Sequence, residues 1–158
     1  MTGKATRNTE SQRVHDIVVK LIADHRFDVG DWKIVINPAA ESNDAIEHDD
    51  GLICADIVAR FGDDVVALGE VETAESVSDE EVAQWLELAH VCSRLYLFVP
   101  EGSEQVAAEL IEKHGVRCAG LRAYALRDDD TVSVQSVFVR NGHSKWNDHP
   151  WWMNVGQN

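Results

Sequence analysis

Two stretches of this chain set carboxylates inside runs of apolar and β-branched residues. In "CADIV" the acid is Asp56, and in "VVALGEVE" the acids are Glu70 and Glu72. A carboxylate in such a run is costly to bury unless it is paired or bound to a cation. Strand alternation puts Asp56 on one face with Cys54, Val58 and Arg60, and puts Glu70 and Glu72 on one face with Val66 and Leu68. If the two faces coincide, opposed carboxylates with Cβ atoms about 5 Å apart repel each other. A divalent cation between them relieves that repulsion and receives the oxygen ligands that Mg²⁺ prefers.

Whether the faces coincide depends on the turn at "GDD". A three-residue loop of Gly62, Asp63 and Asp64 makes the numbers of paired residues sum to 126, which places Asp56 opposite Glu70. A two-residue turn makes the sum odd and sends the acids to opposite faces.

The elements that must hold these acids follow from periodicity. In "NTESQRVHDIVVKLIADH", Thr9 with Gln12 forms a capping box, and Val14, Ile17, Val18, Leu21 and Ile22 form an amphipathic helix face. "DWKIVINP" alternates and stops at Pro38, as a strand does, and the polar residues 39–51 read as a loop. "LICADIVARF" and "DVVALGEVET" form a hairpin around "GDD". Ser78 with Glu81 makes a second capping box, ahead of a helix whose apolar face is Val82, Trp85, Leu86, Ala89 and Cys92. "RLYLFVP" is a buried strand, and "SEQVAAELIEKHGV" a helix with Val106, Ala107, Leu110 and Ile111 inward and Gly115 as its stop. "RCAGLRAYAL" and "TVSVQSVFV" flank "RDDD" as a second hairpin.

The order is α-β-β-β-α-β-α-β-β, which predicts an α/β (α+β) fold with a central mixed β-sheet flanked by helices. The 158 residues fit a single domain, with a core over residues 8–126 and a C-terminal hairpin strand and aromatic tail over 127–158.

The net charge of −14 is concentrated. Residues 1–33 carry +1, residues 34–112 carry −17 with Arg60 and Arg94 as their cations, and residues 113–158 carry +2. A solvated acidic surface, of the kind that suits a salty medium, accounts for most of these acids but not for those inside strands. Cys54, Cys92 and Cys118 are widely spaced in apolar contexts, which suits reduced core thiols and excludes zinc held by CxxC pairs. No apolar run approaches the length of a membrane span, and the start lacks the apolar middle of a signal peptide, so a cytoplasmic location is expected.

Helix and strand, then "ADIVARFGDDVVALGEVET", then helix and strand resemble the PD-(D/E)XK nuclease superfamily, with its restriction-endonuclease-like fold. The resemblance spans residues 10 to 126, and residues 55 to 72 carry the motif. It implies a Mg²⁺- or Mn²⁺-dependent nuclease acting on DNA, with Asp56 and Glu70 as metal ligands and the carbonyl of Val71 completing the metal shell. Ala55 stands where that family has a structural Pro, and Glu72 stands where it has a Lys that positions or activates water. An E-x-E form occurs in active restriction enzymes, where the second acid serves in place of the lysine. Glu72 is therefore expected as the third catalytic acid, and the alternative is an inactive member of the fold serving as an interaction or assembly module.

Glu10 on the first helix and Gln84 on the helix after the motif are accessory candidates, against plain readings as a helix-start charge and an exposed polar residue. Neither Lys33 nor Arg60 replaces the lysine, since Arg60 lies about 13 Å along its strand from Asp56 and arginine stays protonated. The phosphate-binding cations fall at the chain ends, among them Lys4, Arg7, Arg13, Arg117, Arg122 and Lys145, or come from a homodimer or a partner protein. His15, His25 and His90 have no metal-triad spacing. His143, His149 and Asp148 lack a fixed frame, and Trp146, Trp151 and Trp152 suit packing better than base stacking.

Overall fold

The computed structural model describes residues 7–24, 32–38, 43–49 and 51–139. The expectations for Lys4, His25 and the tail from 140 onward, with His143, Lys145, Trp146, Asp148, His149, Trp151 and Trp152, lie outside the described residues.

Helix α1 (Thr9–Asp24) is opened by Asn8 rather than Thr9: Asn8 Oδ1 accepts the Ser11 N–H at 2.8 Å. Strands follow as β1 (Lys33–Ile36), β2 (Ile46–His48), β3 (Gly51–Ile53), β4 (Ile57–Phe61) and β5 (Asp64–Val71). A 3₁₀ turn (Ala74–Ser76) leads to α2 (Asp79–Val91), then β6 (Leu95–Pro100), α3 (Glu104–His114), β7 (Gly120–Leu126) and β8 (Val132–Val139). The expected order is present with two more strands before α2, because β2 is added and one expected strand divides into β3 and β4. The polar stretch taken as a loop contains β2, which pairs with β3 as a separate two-stranded sheet. Three residues are too few to show a period.

Six strands form one mixed sheet in the order β1-β4-β5-β6-β7-β8. Pairs β1–β4, β4–β5 and β7–β8 are antiparallel, while β5–β6 and β6–β7 are parallel. The parallel steps need crossovers, and α2 and α3 supply them. One face packs Val58, Leu68, Leu95, Leu97, Val99 and Leu121 against Val82, Trp85 and Leu88 of α2 and Leu110 and Ile111 of α3. The other packs Ile57, Ala59, Ala67, Val71, Tyr96 and Phe98 against Val18, Val19 and Ile22 of α1.

"LICADIVARF" is not one strand. It breaks between β3 and β4, and Asn37 holds the break: its Nδ2 donates to the Ala55 carbonyl at 2.7 Å, and its own N–H donates to the Asp56 carbonyl at 2.9 Å. Asn37 is fully buried, so these bonds are made away from water, where leaving them unmade is costly.

The turn between β4 and β5 has two residues, Gly62 and Asp63, with Gly62 in the left-handed region at φ 62°. Phe61 thus pairs with Asp64 and Arg60 with Val65, an odd sum. Val66 is then left over as a β-bulge, and from Ala59↔Ala67 through Ile57↔Gly69 the sum is 126. Of the two turns the sequence left open, the two-residue one is present, yet from Ala59 to Ile57 the register is the one that the three-residue loop implies.

Helix faces differ in detail from their expected ones. Leu86 and Val106 are exposed, whereas Leu88 is buried. Ser78 makes no side-chain capping bond to α2, so the predicted Ser78–Glu81 box is not formed, and the Glu81 side chain is buried instead. Gly115 ends α3 in the left-handed region as expected. Cys118 is buried, Cys54 and Cys92 are half-buried, and all three are free thiols. No helix among the described residues is long and apolar enough to cross a membrane.

Candidate functional site

The end of β5, the approach to β4 and the first turns of α1 and α2 meet around buried carboxylates. Asp56, Glu70, Glu72 and Glu81 are all buried, and so are His15 and Gln84. Arg7, just ahead of α1, has 4 % of its side chain exposed.

Asp56 lies just before β4, and its Oδ2 accepts the Val71 N–H at 2.8 Å. A side chain, rather than a carbonyl of the neighbouring strand, thus receives that backbone donor. The same oxygen is 3.1 Å from His15 Nε2, while His15 Nδ1 is 3.0 Å from Asp16 Oδ1. His15 therefore links the carboxylates of Asp56 and Asp16 through its two ring nitrogens.

Glu70, next to Val71 in β5, turns toward α2. Its Oε2 accepts from Gln84 Nε2 at 2.8 Å, and the same amide donates to the Cys54 carbonyl at 3.3 Å. Both contacts are to acceptors, so the amide orientation is determined. Gln84 Oε1 is then a buried oxygen with no hydrogen-bond partner among the described residues.

Glu72 is held from several sides. Trp85 Nε1 donates to Oε1 at 2.8 Å, Ser76 Oγ donates to Oε2 in a short hydrogen bond, and Arg7 Nη2 reaches Oε2 at 3.5 Å. Tyr124 Oη donates to the Glu72 carbonyl at 2.6 Å. Burial pushes the Glu72 carboxyl up to about 8, and the Glu81 and Asp56 charges add to this while the Ser76 and Trp85 bonds oppose it. Burial raises Glu81 as well, with Arg7 and His15 opposing and Asp56 reinforcing. Arg7 also lies 3.4 Å from the Val71 carbonyl and 3.3 Å from Thr73 Oγ1.

Trp85→Phe removes one of the donors to Glu72 and is expected to lower stability by about 2 kcal/mol. Urea unfolding measures it, and an unchanged midpoint at unchanged slope would show that the indole N–H does not hold Glu72.

Of the residues expected from the sequence, Asp56 reaches the Val71 N–H and Glu70 reaches Gln84, while Glu72 is buried against Trp85 and Ser76. Glu10 does not join them: it is exposed on α1 in an ion pair with Arg13, with Oε1 to Nη2 at 2.8 Å. Arg60 pairs with Asp44 at 2.7 Å, and Lys33 is exposed. Arg122 is buried in the sheet, with its guanidinium 5.3 Å from the centre of the Tyr96 ring, so it does not serve as an exposed phosphate contact.

Sequence reading missed Arg7, His15, Ser76 and Glu81 as members of this group. Two of them carried a signal. His15 precedes Val18, Val19 and Ile22 at helical spacing, and Glu81 precedes Trp85 and Leu88 in the same way.

The donor set suits a hard cation. Asp56 and Glu70 are oxygen donors, and the orphaned Gln84 oxygen beside Glu70 is an acceptor for a cation's water. Among the described residues no three His, Cys, Asp or Glu side chains converge to hold a metal. Mg²⁺ characteristically takes one or two carboxylates and fills its other positions with water and phosphate.

No protein-family model, curated protein or solved structure matches the chain.

Proposed function

We propose that the chain is a divalent-metal-dependent nuclease of restriction-endonuclease-like fold, hydrolysing phosphodiester bonds in DNA. The observation that carries this reading is the buried junction of β4 and β5. There the Asp56 carboxylate accepts the N–H of Val71, the residue after Glu70, and Asp56, Glu70, Glu72 and Glu81 are all buried. The run α1-β1-β4-β5-α2-β6, with β1, β4, β5 and β6 adjacent in one mixed sheet, supports the same family.

In this reading Asp56, Glu70 and the Val71 carbonyl hold Mg²⁺ or Mn²⁺. The ion would polarise the phosphate, lower the pKa of the attacking water and shield the leaving oxygen. The protein's own part is positional. His15 and the Val71 N–H orient Asp56, Gln84 orients Glu70, and burial excludes competing water. Glu72, with its carboxyl near 8, is tuned to hold or release a proton close to neutral pH, as a general acid–base group requires. Trp85 and Ser76 fix its orientation.

The test incubates the purified chain with linear, circular and single-stranded DNA, with Mg²⁺ or Mn²⁺ and with chelator, beside Asp56→Asn and Glu70→Gln. Metal-dependent cleavage that both substitutions remove is the expected result. Cleavage that survives in both would sink this site. A folded wild-type chain that cleaves nothing with either ion would instead favour an inactive interaction module.

A further inference from the structure

We propose that His48 and His90 form a binding site for a transition-metal cation of the Zn²⁺ class, separate from the carboxylate group. His48 ends β2 and pairs with Gly51 across the small hairpin, while His90 lies in the last turn of α2. Their ring centroids are 5.4 Å apart, with the planes inclined at 55°. His48 is half-buried and His90 exposed, and neither ring has a hydrogen bond to a described residue. Both rings thus reach solvent.

The centroid separation matches that of two imidazoles on one ion. A Zn–N bond of about 2.0–2.1 Å puts each ring centroid about 3.2 Å from the metal, and a tetrahedral angle then separates the centroids by about 5 Å. Imidazole nitrogen suits Zn²⁺, Cu²⁺ and Ni²⁺, whereas the all-oxygen group around Glu70 suits Mg²⁺ and Mn²⁺. The surroundings favour a cation, since Glu47 and Asp49 flank His48 in sequence and Glu87 lies one helical turn before His90. No third His, Cys, Asp or Glu among the described residues completes a cluster, so water fills the remaining positions.

Such an ion clips the β2–β3 hairpin to α2. The hairpin runs through Cys54 and Ala55 into Asp56, and α2 carries Gln84, the partner of Glu70. The clip thus joins the two elements that position the buried acids. A ligand that binds only the folded chain also stabilises it.

The experiment is calorimetric titration of ZnCl₂ into the full chain in buffer with excess Mg²⁺, which occupies the proposed carboxylate site, with melting curves recorded before and after. It is repeated on His48→Ala, His90→Ala, His48→Gln and Asp56→Asn, each checked for fold by circular dichroism. Saturable binding of one ion per chain is expected, with a rise in Tm. Both effects are lost in the three histidine variants and kept in Asp56→Asn. Binding that persists without His48 or without His90, binding that disappears in Asp56→Asn, or no saturable binding in the wild type would each overturn the proposal. DNA cleavage is not the readout, so the outcome is independent of the nuclease reading.

Discussion

Glu72→Lys, which installs the lysine that the nuclease resemblance would have at this position, destabilises the protein by about 3–5 kcal/mol instead of improving it. The reason lies in what surrounds Glu72. Trp85 Nε1, Ser76 Oγ and Arg7 Nη2 all direct donors at its two oxygens, and the residue has no exposed surface. An ammonium there leaves those donors without an acceptor and sets a second cation beside Arg7. Glu72→Gln keeps an acceptor oxygen at nearly the same volume and is expected to cost about 1 kcal/mol. Urea unfolding of the two variants decides the matter, and a Glu72→Lys variant as stable as the wild type would refute this account of the site.

The same residue predicts a pH dependence. Its folded-state pKa, near 8, lies above the ordinary 4.5, so the folded chain retains a proton that the unfolded chain releases. The stability contributed by that proton is full below about pH 4.5, falls as pH rises toward about 8 and is gone above it. Glu72→Gln lacks this titration. The wild type should therefore lose stability relative to the Gln variant between about pH 5 and about pH 8. Parallel stability curves across that range would contradict a raised Glu72.

The second large effect is on cleavage. Asp56→Asn is expected to fold normally, because its carboxamide oxygen can still accept the Val71 N–H, and to lose metal-dependent cleavage by about a thousandfold. A metal contribution of several kcal/mol, at 1.36 kcal/mol per tenfold, corresponds to about that factor. Asp56→Ala should show two losses, the same fall in cleavage and about 1–3 kcal/mol of stability, since the buried Val71 N–H is left unpaired. Measuring rate and unfolding together separates the two roles of Asp56. Cleavage retained in a well-folded Asp56→Asn would remove the acid from the proposed metal site.

Much of the frame was legible from local pattern. Gly62 and the acids after β4 marked a turn, Gly115 marked the end of α3, and the apolar run "RLYLFVP" marked an interior strand. The candidates Asp56, Glu70 and Glu72 stood out because carboxylates are rare in such runs, and all three are buried. Gln84 was named from its place on the helix after the motif as a substrate contact or an exposed residue, whereas it is buried with its amide on Glu70. The membership of the rest depended on which face of a helix turns inward. On α1 the apolar residues from Val14 to Ala23 span too wide an arc to choose a stripe, and packing on the sheet chose the one containing His15.

What the sequence by itself determined was the order of elements and the unusual placement of acids near the central hairpin. The tertiary structure decided how those acids are held. A two-residue turn, taken alone, would have sent Asp56 and Glu70 to opposite faces, and the Val66 bulge restored the register before Asp56 was reached. Asn37, distant in sequence, then broke the strand so that Asp56 could turn onto the Val71 N–H. Strand periodicity counts residues and cannot register one that is left unpaired. Bulges and bends are set by the twist and packing of neighbouring strands, which are non-local, and only the folded sheet contains that information.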